Sequence, residues 1–352
     1  MRRERTRGGE SKSVDLVALA ECVEKFPTKT VVLLGDFVAD AFQFGDISRV
    51  SREAPVLILR HRETQIIPGG GANAANNFAA LGARVRPVSA VGDDLEGEAL
   101  IAYFRAKKID VSGIVRVKEW RTPTKTRFLA GWTHTVGQQV LRVDYEPRDP
   151  LPSAAKSKLQ GLLITKLRGA DALAVSDYGF GSASPDFVRA AKTKPKSAVL
   201  TTLDARYHLA AYAKSGIDSA TPNEAELEAL HHAQIGQDVE ELARWGRETL
   251  NQMKMRALLV TRGRDGMALF GESGQMTQIP IHGSSQAIDV TGAGDTVLAA
   301  YTLALASGAS FLEAAHVANI AGGLVVMKRG TATVSRDELL ETIRQEAAGG
   351  AG

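Results

Sequence analysis

Short apolar runs that alternate with helix-like stretches constrain the fold of this chain more than any other feature. Val31-Val32-Leu33-Leu34 leads into Gly35-Asp36, the pattern of a buried strand that ends in a turn. Similar runs recur at 172–176, 198–202 and 257–261, with helical patterning between them at 154–168 and 239–252. Strand and helix in alternation predict a largely parallel sheet covered by helices on both faces. Two regions break the pattern: 56–59, and 126–130 with 139–145, are short, β-rich and lack an intervening helix, and are read as an antiparallel flap. No repeat or long linker divides the 352 residues, a length that suits one large α/β domain or two ordinary ones.

Open parallel sheets bind ligands outside the carboxyl ends of their strands. Gly35-Asp36-Phe37-Val38-Ala39-Asp40 is such an end, where Asp36 and Asp40 are suited to sugar hydroxyls, to a metal, or to a solvated turn. A second is Val260-Thr261-Arg262-Gly263-Arg264-Asp265-Gly266. Pro68-Gly69-Gly70-Gly71-Ala72-Asn73 lets backbone close on a ligand while Asn supplies a donor and an acceptor; a loop with a helix-capping Asn has the same composition.

The polar turn Ile288-Asp289-Val290-Thr291-Gly292-Ala293-Gly294-Asp295-Thr296 opens directly into an apolar helix over 297–306. Unpaired N–H groups and the helix dipole make such a start an anion site. Asp295 lies in that first turn, either as a simple complement to the dipole or as a carboxylate able to take a proton from an attacking hydroxyl. In Thr221-Pro222-Asn223-Glu224-Ala225-Glu226, Thr221 as N-cap, Pro222 at the first helical position and Glu224 at the third make a capping box, which leaves Asn223 and Glu226 free.

Several function classes are disfavoured. There is no G-x-x-x-x-G-K-[ST] phosphate loop and no G-x-G-x-x-G between a strand and a helix. One cysteine, Cys22, excludes an internal disulfide, and the seven histidines, His231-His232 among them, lack metal-ligand spacing. A net charge of +3 against 43 basic and 40 acidic residues gives no nucleic-acid footprint. The basic run over residues 1–7 has no apolar stretch behind it and reads as a disordered tail. No run reaches the ~18 apolar residues of a membrane span, so a cytoplasmic protein is expected.

Two stretches resemble signatures of the ribokinase-like (PfkB) sugar kinases, in the family's order. Asp289-Val290-Thr291-Gly292-Ala293-Gly294-Asp295-Thr296 resembles the C-terminal one, and Pro68 to Asn77 with Phe78-Ala79-Ala80-Leu81-Gly82 the N-terminal one. The resemblance covers about 29–345 and implies a ribokinase-like, three-layer α/β/α fold with a mostly parallel central sheet and a small β lid. The implied division is an N-terminal extension, partly disordered, over 1–28, a kinase domain over 29–346 with its lid from about 44–66 and 120–145, and a disordered tail over 347–352.

The resemblance makes Asp295 the catalytic base and places an anion hole on the N–H groups of Ala293, Gly294 and Asp295, behind Gly292. It assigns Gly69, Gly70, Gly71, Asn73, Asp36 and Asp40 to the sugar, with Asp40 ranked above Asp36. Asn223 and Glu226 match an Asn-x-x-Glu motif at the Mg²⁺–phosphate region, where Glu226 acts on the metal indirectly. Thr261, Gly263 and Gly266 match a nucleotide loop, and Asn319 in the helix 314–326 a position beside the base. ATP, Mg²⁺ and a monovalent cation such as K⁺ are the implied cofactors, and a homodimer through the lid the implied assembly.

Within the family, Gly35–Gly45, Ser48–Val56, Ser176–Gly179 and Gly330–Val334 are similar to the heptose-7-phosphate kinase domain of lipopolysaccharide biosynthesis. This implies D-glycero-D-manno-heptose 7-phosphate as acceptor, phosphorylated at O1. A bifunctional form of that enzyme carries an H-x-G-H nucleotidyltransferase domain; the motif does not occur here, so kinase activity alone is expected. Three departures remove or move a cation that would hold a substrate phosphate: Phe180 before Gly181 in place of Lys, Asp204-Ala205-Arg206 in place of Asp-Pro-Lys, and Ala41 in place of Arg. Arg49 and Arg52, flanking the flap, are the leading replacements, with Arg127, Arg142 and Arg206 as further ones. The competing readings are a kinase for fructose, ribose or a nucleoside, and a catalytically silent sugar- or nucleotide-binding regulator. The retained base, glycines, Asn223 and Glu226 favour the enzyme.

Overall fold

The computed structural model describes residues 14–131, 138–192, 199–284 and 286–349. Among them, thirteen strands form two sheets: β1 (Thr30–Gly35), β2 (Phe37–Val50), β3 (Leu57–Gly70), β4 (Arg84–Gly92), β5 (Ile114–Val117), β6 (Thr124–Gly131), β7 (Gln138–Tyr145), β8 (Ala172–Asp177), β9 (Leu200–Ala205), β10 (Ser219–Ala220), β11 (Ala257–Thr261), β12 (Met267–Phe270) and β13 (Met276–Ile279). The large sheet has the order β13-β12-β11-β10-β9-β8-β1-β4-β5. It is parallel from β5 to β11, and β12 and β13 fold back antiparallel at one edge.

The three layers can be read from β1 alone. Val31 and Leu33 enter a core shared with the helices Gly71–Ala80, Leu95–Ala106, Ala293–Ala306 and Phe311–Val325. Val32 and Leu34 enter a second core with the helices Ser153–Lys166, Pro185–Lys192 and Val239–Met253. A strand buried on both faces has no polar side, which is why 31–34 is apolar without interruption. The strand expected at 198–202 runs from Leu200 to Ala205; residue 198 lies outside the described residues.

The extension expected over 1–28 is part of the core from its second half on. Asp15 caps the helix Leu16–Glu24, its Oδ1 accepting from the Val17 and Ala18 N–H groups, and Leu19, Val23 and Phe26 are fully buried. Residues 1–13 lie outside the described part. At the other end, the helix Arg336–Gly349 includes residues 347–349 of the expected tail and packs on Leu16–Glu24. The two ends therefore clasp each other.

The second sheet is the lid, in the order β3-β2-β6-β7. It begins at Phe37, earlier than the expected 44, and its central β2–β6 pair is parallel, which corrects the all-antiparallel reading. The cause is topological. β2 follows β1 and β6 follows β5, and both parents end at the same edge of a parallel sheet, so both lid strands leave in one direction.

Candidate active site

The helix Ala293–Ala306 begins where Gly292 adopts φ +78°, the left-handed region that glycine enters without strain. A Cβ at Gly292 would also lie 2.5 Å from Asn73 Nδ2, so the glycine is required twice. The Ala293 N–H donates to the Val290 carbonyl (3.2 Å). Of the three N–H groups expected to form an anion hole, that of Ala293 is engaged in this way, while those of Gly294 and Asp295 lie in the first turn of the helix, where N–H groups lack intrahelical partners.

Asp295 is 3% exposed. Asn73 Nδ2 donates to its Oδ2 (2.7 Å) and the Tyr178 hydroxyl to its Oδ1 (3.3 Å). Burial pushes its carboxyl up to about 7, against the two hydrogen bonds; the charge of Asp40 adds to the rise and that of Lys125 opposes it. A carboxyl poised there is suited to accepting a proton at neutral pH.

In front of Asp295 lies a cavity of about 230 Å³ bounded by Asp40, Gly69, Gly70, Arg127, Gly292 and Thr331, with cations on its far side. Asp40 is buried and ion-paired with Arg127 (2.6 Å), and its Oδ2 accepts from Thr331 Oγ1 (3.4 Å). Gly69 has no room for a side chain, since its Cβ would sit 2.6 Å from Asp40 Oδ2.

Besides the lid arginines Arg49 and Arg52, three residues expected to bind sugar do not line this cavity: Asn73, which is fully buried with its amide taken by Asp295 and Asn77, Gly71 and Asp36. Gly71 opens the helix Gly71–Ala80 and gives its N–H to the Asp36 carbonyl (2.9 Å). Asp36 is fully buried, and its carboxylate accepts from the N–H groups of Tyr178 (3.0 Å), Phe180 (2.9 Å) and Ser182 (2.7 Å). It organises the loop after β8 and is turned away from the site. Burial and the neighbouring Asp177 push its carboxyl up to about 7.

A second chamber of about 300 Å³ adjoins the first and shares Lys125, Arg142, Tyr178 and Arg206 with it. Arg142 is paired with Asp144. Lys125 is half-buried, and burial, followed by the positive charge of Arg206, lowers the pKa of its ammonium. Like charges held together in a partly desolvated chamber favour an anion between them. Arg49 and Arg52 are not there. β2 and β3 are each 14 residues long, and their far ends carry both arginines, exposed, to the tip of the lid.

Behind Asp295, Asp204 at the end of β9 faces Glu226. Burial, then the charges of Glu226 and Asp295, push the Asp204 carboxyl well up, and burial raises Glu226 as well. The capping box is real but displaced from its expected place. Asn223, not Thr221, is the N-cap: its Oδ1 accepts from the Glu226 N–H (2.8 Å) and Glu226 Oε2 accepts from the Asn223 N–H (2.9 Å). The helix Glu224–His231 starts later because residues 219–220 pair as β10, and the Thr221 hydroxyl is buried without a partner among the described residues. Facing carboxylates fit a divalent cation. No group of three metal-ligating side chains occurs among the described residues; Asp204 and Glu226 are two carboxylates that would suit a Mg²⁺ keeping most of its waters.

Thr261, Gly263, Gly266 and Asn319 do converge, lining a pocket of about 370 Å³ with walls that include Met267, Val290, Val297 and Val326. Asn319 Nδ2 is engaged by the Pro280 carbonyl (2.7 Å), so its amide shapes the wall. Ala293 and Gly294 belong to this pocket, whereas Gly292 and Asp295 belong to the cavity of Asp40. One helix turn thus separates a largely apolar pocket from a polar one.

The sequence reading did not place Lys125, Tyr178, Asp204 or Thr331 in the site. Lys125 and Arg127 are two apart on β6 and share a face, opposite Asp144 and Arg142 on β7. Period-two alternation across that hairpin was the available signal.

A family model described as pfkB family carbohydrate kinase matches residues 28–338. Among curated relatives, the bifunctional protein HldE of Geobacter metallireducens is 37% identical over 311 residues, covering 88% of this chain and 62% of the relative. The protein of the same name from Paramagnetospirillum magneticum is 37% identical over 341 residues, covering 94% and 67%. The chain spans about two thirds of the length of these relatives. Phosphofructokinase-2 from Escherichia coli in complex with potassium shares the fold with a TM-score of 0.73 at 21% identity, over 91% of this chain and 99% of that one. Arabidopsis thaliana ribokinase complexed with ribose and ATP does so with a TM-score of 0.70 at 22% identity, over 90% and 98%.

Proposed function

The chain belongs to the pfkB family of carbohydrate kinases, and from that premise we propose that it transfers the γ-phosphoryl group of ATP to a phosphorylated sugar, D-glycero-D-manno-heptose 7-phosphate at O1. The observation that carries the substrate class is the chamber beside Asp295, where Lys125, Arg142 and Arg206 outnumber the carboxylates Asp144, which is paired with Arg142, and Glu146. The name of the HldE relatives and the similarity of the lid segment Ser48–Val56 support the heptose.

The acceptor hydroxyl sits at Asp295, which takes its proton as the oxygen bonds to the γ-phosphorus. The bond from that phosphorus to the bridging oxygen breaks, and ADP leaves. The Gly294 and Asp295 N–H groups face the charge on the transferring group. Asp40, held by Arg127, orients sugar hydroxyls, and Arg206 and Lys125 hold the phosphate the acceptor already carries. Mg²⁺, near Asp204 and Glu226, would neutralise phosphate charge when bound, and a monovalent cation such as K⁺ belongs to the same reading. We place the reaction in the cytoplasm; no helix among the described residues is long and apolar enough to cross a membrane. A homodimer through the lid is part of the proposal, supported by the exposed Val50, Val56, Leu57, Val140 and Leu141 on lid segments.

The test compares kcat/KM for the heptose 7-phosphate with that for the unphosphorylated heptose, a neutral hexose and a nucleoside. Losing charge-assisted hydrogen bonds worth ~1.5–3 kcal/mol should make the unphosphorylated sugar at least about tenfold poorer. Equal efficiency, or preference for a neutral hexose or nucleoside, rejects the phosphosugar.

A further inference from the structure

Tyr178 lies between the two polar chambers and lines both. Its hydroxyl reaches Asp295 Oδ1 at 3.3 Å, and the Lys125 ammonium lies 5.4 Å from the centre of its ring. The backbone beneath it is held unusually firmly for a loop. Tyr178, Phe180 and Ser182 give their N–H groups to the buried Asp36, and Gly179 gives its N–H to Asp177 (2.8 Å), whose other oxygen accepts from the Tyr212 hydroxyl (2.7 Å). Two buried carboxylates thus fix where one phenol points.

The two partners of Asp295 are chemically unequal. Asn73 presents an amide N–H₂ to Oδ2, a group that only donates, so a proton arriving on Oδ2 would face a donor. The Asn73 carbonyl oxygen is itself engaged by Asn77 Nδ2 (3.2 Å), which fixes the amide in this orientation. The acid proton therefore belongs on Oδ1. Tyr178 is the partner there, and a hydroxyl can donate to the carboxylate and turn to accept from the acid.

We propose that Tyr178 is a positioning residue for the base, holding the Asp295 carboxylate aimed and ionised before transfer and accepting from the carboxylic acid on Oδ1 after it. The proposal rests on the kinase reading only in taking Asp295 as the base. The other groups that face Asp295 are Asn73 from the helix Gly71–Ala80, Asp40 from β2, Lys125 from β6, and Asp204 from β9 with Glu226 and Arg206 near it. None of these changes in a Tyr178→Phe variant, which keeps the ring and every backbone bond of the loop.

The decisive measurement needs no acceptor. The Asp295 carboxyl is titrated by carbon-13 NMR in protein labelled at aspartate Cγ, with its signal assigned by its loss in Asp295→Asn. In Tyr178→Phe the midpoint should rise by about one pH unit, a tenfold gain in proton affinity or ~1.4 kcal/mol. The acid limb of the kcat/KM profile should move by the same amount, with rate recovered at alkaline pH. Superimposed titrations in the folded variant, or a rate loss equal at every pH, overturn the proposal and leave the kinase reading standing. Should neither protein phosphorylate any acceptor, the kinase reading falls while the titration still decides the role of Tyr178. If the variant does not fold, 3-fluorotyrosine at position 178, a stronger donor, should lower the midpoint, and an unmoved midpoint overturns the proposal.

Discussion

Asp295 shows how far a side chain's chemistry depends on its enclosure. On a solvated helix start it would titrate as an ordinary aspartate; here burial carries it up to about 7 with a donor on each oxygen. Asp295→Asn keeps the shape and both neighbours but cannot accept a proton. We expect kcat to fall by roughly 10²–10⁴ with ligand binding retained. Steady-state kinetics together with calorimetric nucleotide binding check this, and near-wild-type turnover in a folded variant removes the base assignment. At this scale local motifs in the sequence singled out residues that the fold brings to cavities, as with Asp295, Thr261 and Gly263, whereas Asn73 ends up buried against Asp295. Asp36 and Asp40 are four apart and chemically alike, and only the family resemblance ranked Asp40 above Asp36. The three N–H groups that claim Asp36 lie more than a hundred residues downstream, and local pattern holds no trace of them.

Elements explain the rest of what was seen and missed. The segment Thr221–Glu226 carries two overlapping capping patterns, and the choice between them was made by strand pairing that ends at residue 220. Both roles assigned to this segment, as a cap and as a neighbour of the metal–phosphate region, rest on the same Glu226. Glu226→Gln separates them, because Gln still accepts from the Asn223 N–H while carrying no charge. Helix stability should change by less than about 1 kcal/mol. The Mg²⁺ concentration for half-maximal rate should rise several-fold, and more than the acceptor KM does. Superimposed Mg²⁺ titrations of variant and wild type would leave the cap as its whole function. The lid gives the complementary lesson. Its strands were recognisable, yet the arginines that line the site could not be told from those at its tip until the β6–β7 register paired Arg127 with Arg142.

The whole molecule carries an unfavourable electrostatic load at its centre. Asp36 and Asp295 are each raised to about 7, and Asp204 well above the usual carboxylate range, all chiefly by burial. For an acid whose folded pKa is raised, the native state binds more protons than the unfolded chain. The stability it contributes is therefore present near pH 4 and is lost as pH rises towards 7. His231 and His316, lowered by burial, act in the opposite sense below about pH 6.5, so the clean comparison is between variants. Asp295→Asn, permanently neutral, should be more stable than wild type at pH 8, by up to about 4 kcal/mol, and the gain should shrink towards pH 5. Thermal unfolding of both proteins across that range checks the trend. A gain independent of pH would mean that the carboxyl is not raised. The overall architecture was the most legible level, because a parallel sheet leaves an uninterrupted apolar run in each buried strand. The docked N-terminal helix was missed because its partner, the helix Arg336–Gly349, stands at the other end of the chain.

A single helix turn lies between the apolar pocket and the polar cavity of Asp40, with Ala293 and Gly294 lining one and Gly292 and Asp295 the other. On the proposed function, a nucleotide in one and an acceptor in the other would meet at one phosphorus atom. The entering oxygen then arrives opposite the departing one, and no protein nucleophile need carry the group between them. A γ-phosphoryl group made chiral with three oxygen isotopes should accordingly emerge on the sugar with its handedness inverted.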